Sequence, residues 1–75
     1  MKNEISYAAE LIDWMDSKGF KCYIEKGTGR HLINRKEKVI ILDFAAKDFK
    51  EKSEIAKKIA GQIFINEKIK AAKIS

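Results

Sequence analysis

The spacing of apolar residues changes period along this chain, and that change limits its fold more than any other feature. Ile5, Ala8, Ile12 and Met15 recur at three- and four-residue intervals, as one face of a helix does. Phe20, Cys22 and Ile24 then alternate with Lys21, Tyr23 and Glu25, the period of a half-buried strand. Val39-Ile40-Ile41-Leu42 is an unbroken apolar run, the pattern of a central strand. Helical spacing returns at Ile55, Ala56, Ile59, Ala60 and Ile63.

Turn and cap residues place the boundaries. Asn3 is expected to cap the first helix, over about residues 4–18, and Gly19 to end it with Phe20 folded back on the last turn. Gly27-Thr28-Gly29 is the strongest turn signal, and Arg30 to Arg35 reads as the return strand. Lys36-Glu37 makes a short turn into the third strand, which ends at Asp43-Phe44. Short connections between successive strands predict an antiparallel meander. Ser53 is expected to cap a second helix, with Glu54 in its first turn. Gly61 weakens that helix without having to end it. Beyond it, the chain either continues as one long helix or forms a short one in which Ile65, Ile69 and Ala72 share a face. The class expected is α+β, in the order α-β-β-β-α. A three-stranded antiparallel sheet carries both helices on one face, in one domain over 1–75. Its core covers about residues 4–61, and a helical extension covers 62–75. Double-stranded-RNA-binding domains have this order.

Length and charge narrow the function. A chain of 75 residues buries only about 60% of its unfolded surface, which leaves little room for a large cofactor. No apolar run approaches the roughly 20 residues that span a bilayer, and no apolar signal region follows the first residues. A cytoplasmic protein with no membrane contact is expected. The single cysteine, Cys22, excludes an internal disulfide and a thiolate zinc cluster, and no cofactor is expected. Sixteen basic residues against eleven acidic give +5. Residues 1–18 hold two of the basic and four of the acidic residues, so residues 19–75 hold fourteen and seven. A basic body behind an acidic first helix suits a polyanion.

The one histidine, His31, follows Gly27-Thr28-Gly29-Arg30. A histidine can exchange protons near neutral pH. Lys26 and Arg30 beside it could hold a phosphate, with the 2′-hydroxyl of an RNA as nucleophile, so metal-free RNA cleavage is one expectation. A surface histidine in a turn is the plainer alternative. Thr28, Arg35, Lys36, Lys57 and Lys58 complete the candidate nucleic-acid contacts. Cys22 is expected to be a buried structural thiol. Glu25 and Asp43 are expected to be solvated charges at strand ends.

Gly19-Phe20, the strand after it and Lys26-Gly27-Thr28-Gly29-Arg30-His31-Leu32-Ile33 resemble the HicA family of toxin messenger-RNA interferases. Lys47-Asp48-Phe49-Lys50-Glu51 and the helix from Ser53 to Gly61 are similar to the family's connection and second helix. Members are short, basic and α-β-β-β-α, and their catalytic histidine maps onto His31. The resemblance implies an RNA substrate and a cognate antitoxin as partner. Residues 62–75 run past the family's expected end, which implies added surface for a partner or a homodimer. Two other readings stand beside it: a nucleic-acid-binding module without catalysis, and a small regulator that inhibits a protein.

Overall fold

The structure is a computed structural model, and it describes residues 4–74. Asn3, the expected helix cap, lies outside the described residues. The element order is α1 (Glu4–Ser17), β1 (Lys21–Glu25), β2 (Leu32–Asn34), β3 (Val39–Asp43) and α2 (Phe49–Ile74). This is the expected α-β-β-β-α order and α+β class. The helix α1 ends as its Gly19-Phe20 pair predicts. The Phe20 N–H donates to the Met15 carbonyl at 2.9 Å and the Gly19 N–H to the Asp16 carbonyl at 3.0 Å, so two orphan carbonyls of the last turn are satisfied. That reversal drives Phe20 into the core.

The sheet corrects the antiparallel meander. Its strand order is β1-β3-β2: β1 pairs with β3 in parallel and β2 pairs with β3 in antiparallel fashion. It therefore departs from the antiparallel sheet expected with a double-stranded-RNA-binding plan. The reason lies in the apolar run. β3 is the most apolar strand, and the central slot gives its backbone a ladder on both edges while its inward side chains are covered. Gly27-Thr28-Gly29 is consequently not a hairpin turn. Residues 26–31 carry the chain across the end of β3, a step of two strand spacings or about 10 Å, which six residues span easily.

Both helices cover the same face of the sheet, as expected. One core joins Leu11 and Met15 of α1, Phe20, Cys22 of β1, Ile40 and Leu42 of β3, and Phe49, Ala56 and Ala60 of α2. The buried stripe of α1 is rotated from the expected 5-8-12-15. Leu11 is buried and Ile12 is exposed, because Tyr7 and Trp14 turn inward against α2 with Leu11 and Met15. Tyr7 meets Phe49 edge to face, with ring centroids 5.9 Å apart. The tip of Trp14 lies over Gly61, where a side chain would stand 3.6 Å from the indole.

Ser53 is not the cap of α2. The helix begins a turn earlier, and Ser53 is wholly buried in the seam. Its hydroxyl donates to the Lys50 carbonyl at 2.7 Å and lies 2.8 Å from the Tyr7 hydroxyl, so the buried oxygen is satisfied. α2 passes through Gly61 without a break and continues to Ile74. At 1.5 Å per residue its 26 residues extend about 39 Å, which sets the 44 Å long axis of the molecule. From Ile65 to Lys73 its side chains are exposed, Ile69 among them. No helix among the described residues is long and apolar enough to cross a membrane.

Candidate functional site

The loop over residues 26–31 is built around Asp43, the last residue of β3. Its carboxylate accepts the N–H groups of Gly27 at 2.8 Å, Gly29 at 2.7 Å and Ala45 at 3.0 Å. Gly27 and Gly29 have φ of 80° and 71°, which turns their N–H groups inward to that one acceptor. Asp43 is therefore not a solvated strand-end charge: it is 3% exposed. The bonds from Gly29 and Gly27 hold its carboxyl below the usual aspartate range. A carboxylate of the chain itself thus takes up the inward N–H groups of the glycine turn.

Glu25 organises the outer side of the loop. Arg30 reaches back to it in a bidentate pair, with Nε at 3.0 Å from one carboxylate oxygen and a terminal nitrogen on the other. The Thr28 hydroxyl donates to the same carboxylate at 2.9 Å. Those contacts, Arg30 first, lower the Glu25 carboxyl. Solvent reaches this pair, so it fixes the direction of the loop more than it stabilises the fold.

The expected trio of Lys26, Arg30 and His31 is divided. Arg30 turns to Glu25, and His31 turns to the helix side of the β2 edge. There it borders a groove of about 170 Å³ lined by Leu32, Ile33, Leu42, Lys52 and Ile55. Its Nε2 lies 3.4 Å from Asp48 Oδ1, and 18% of its side chain is exposed. Neither ring nitrogen makes a hydrogen bond, and both are shielded from solvent. Asp48 and Lys52 are the neighbours that sequence reasoning missed. They stand 17 and 21 positions beyond His31, and only the packing of α2 on the sheet edge joins them to it.

The other candidates fall into two groups. Lys26 follows β1, and Arg35 and Lys36 form the β2–β3 turn; all three are exposed. Lys57 and Lys58 stand on α2, in the other layer. Lys57 Nζ lies 5.5 Å from the centre of the Trp14 ring, and Lys18 lies over the same ring at 5.1 Å. Among the described residues, Arg30 and Lys38 are the only Lys or Arg side chains paired with a carboxylate. The burial of Cys22 pushes its thiol up to about 11, as fits a structural thiol.

No protein-family model, no curated protein and no solved structure matches this chain.

Proposed function

We propose that the protein binds RNA. The observation that carries this reading is the unneutralised basic surface. Lys26, Arg35 and Lys36 at the two ends of the sheet, and Lys57 and Lys58 on α2, have no carboxylate partner among the described residues. Cations without a carboxylate partner gain most from phosphates, because binding releases the counterions condensed on the nucleic acid; four of these five are exposed, and Lys57 is half-buried over Trp14. Affinity for a mixed RNA pool, followed by fluorescence anisotropy, is therefore expected to fall steeply with added salt. Replacing Arg35 and Lys36 together by Gln should weaken binding about equally for all sequences, because phosphate contacts carry no base information. Binding that is absent at low salt, or indifferent to salt, would sink this reading and favour a protein partner.

A second reading, RNA cleavage in the manner of the HicA family, rests on His31. An imidazole without a hydrogen bond, beside the Asp48 carboxylate and in one groove with Lys52, has the parts of a general base. His31 would take the 2′-hydroxyl proton, the freed oxygen would attack the adjacent phosphorus to form a 2′,3′-cyclic phosphate, and the 5′-oxygen would leave as a hydroxyl with a proton taken from water. Lys52 would face the developing charge. The groove must open first, because both ring nitrogens are shielded. Growth arrest with messenger loss on expression, abolished by His31→Ala and relieved by a cognate antitoxin, is the expected result. Purified protein that binds RNA and leaves it intact at every pH rejects cleavage and leaves binding standing.

A further inference from the structure

We propose that the open face of the sheet is a platform on which unpaired RNA bases stack. This inference deepens the RNA-binding reading and rests on it. The strand register aligns Tyr23, Ile41 and Leu32 in one row across all three strands. Paired residues point to the same side, and the next row, Cys22-Ile40-Ile33, faces the core. Tyr23 and Ile41 therefore face away from both helices, and Leu32 continues their row at the sheet edge, where it also borders the His31 groove. Tyr23 is 51% exposed and Leu32 46%, and nothing within the described residues covers them. An aromatic ring beside two aliphatic side chains on a flat strand surface is what a base face stacks on.

The charges around the row select the occupant. Lys21 lies on the same face in the row Lys21-Val39-Asn34, and Arg35 and Lys36 follow directly in the turn. Lys26 stands past the other end of β1, beside Arg30, whose charge Glu25 already holds. The two groups are separated by about four strand residues, or roughly 13 Å, with the Tyr23 row between them. The carboxylates that the strands place on this face are already engaged. Glu25 holds Arg30 and Thr28, and Asp43 holds three backbone N–H groups. Cations at both ends, an apolar middle and no free strand carboxylate match a short single strand, with phosphates at the rim and bases inward. A duplex hides its base faces and has no use for Tyr23. A protein partner would need a broader apolar area than one row bounded by Lys21 and Asn34.

The test uses the full chain, a short fluorescent oligouridylate and a duplex RNA of equal length, at low salt. Tyr23→Ala should weaken oligouridylate binding about tenfold, within the range set by loss of one stacked base. Tyr23→Phe keeps the ring and should stay within about twofold of wild type. Circular dichroism of both variants should match wild type, because Tyr23 is half exposed. Duplex binding should be indifferent to either change. If wild type binds oligouridylate and Tyr23→Ala binds it equally well, the platform is wrong and the RNA-binding reading survives. If wild type binds neither RNA, both are wrong. Self-association in sedimentation without RNA, lost in Tyr23→Ala, would assign this face to a second copy and overturn the platform.

Discussion

Replacing Gly29 and Gly61 by alanine adds the same methyl group and should change stability in opposite directions. Gly29 has φ +71°, and a Cβ there meets nothing within 4 Å. The whole cost is then backbone: about 1–2 kcal/mol for an L-residue in the left-handed region, partly offset by the narrower unfolded ensemble of alanine. A net loss of about 1 kcal/mol corresponds to a fall in Tm of roughly 4–8 °C for a domain of this size. Gly61 lies inside α2, where its Cβ would rest 3.6 Å from the Trp14 indole, an ordinary contact. Alanine there should stabilise by about 0.5–1 kcal/mol through helix propensity alone. Urea unfolding followed by the fluorescence of Trp14, the single tryptophan, measures both. Gly29→Asn should lose less than Gly29→Ala, because asparagine tolerates this region better. A neutral Gly29→Ala, or a Gly61→Ala that destabilises, would refute the account of the crossing loop and the seam.

Three further outcomes follow from the polar groups. Ser53→Ala should cost about 1 kcal/mol in the same urea assay, because it removes the buried hydroxyl while Tyr7 keeps a contact to Glu54 at 3.3 Å; an unchanged midpoint would count against the seam. The Asp43 carboxyl is depressed in the folded state by the Gly29 and Gly27 N–H groups, so its contribution is present above the unfolded pKa near 3.8 and lost as pH falls below it. Asp43→Asn should therefore flatten the acid limb of a Tm-versus-pH profile, and an acid limb identical to wild type would reject the loop pin. The Cys22 thiol is raised from 9.0 to about 11 by burial, so its contribution is complete below pH 9 and lost as pH climbs toward 11. Native protein should accordingly react slowly with thiol reagents at pH 8, and reaction as fast as in urea would contradict the burial.

Much of the fold was legible in one dimension, because periodicity reports directly on which side of an element is dry. The strand alternation at Phe20, Cys22 and Ile24, the run Val39–Leu42, the Gly19-Phe20 ending of α1 and the placement of both helices on one face are local or nearly local consequences of that rule. Strand pairing is not local. Nothing in Gly27-Thr28-Gly29 distinguishes a hairpin turn from a loop that steps over another strand, because both need left-handed glycines. The deciding partner, Asp43, is fourteen positions beyond Gly29 and reads on its own as a strand-end charge. The rotation of α1 that exposes Ile12, and the burial of Ser53, likewise depended on α2 arriving to meet Tyr7 and Trp14. Of the candidate site, residue types and net charge came from the chain alone. Tertiary packing decided which of them meet: it tied Arg30 to Glu25, moved His31 beside Asp48, and left Tyr23 in a row with Leu32 on a face that no element of the described chain covers. Side chains distant in sequence become neighbours only when the sheet closes, and a parallel strand pair closes it in an order that sequence adjacency does not encode.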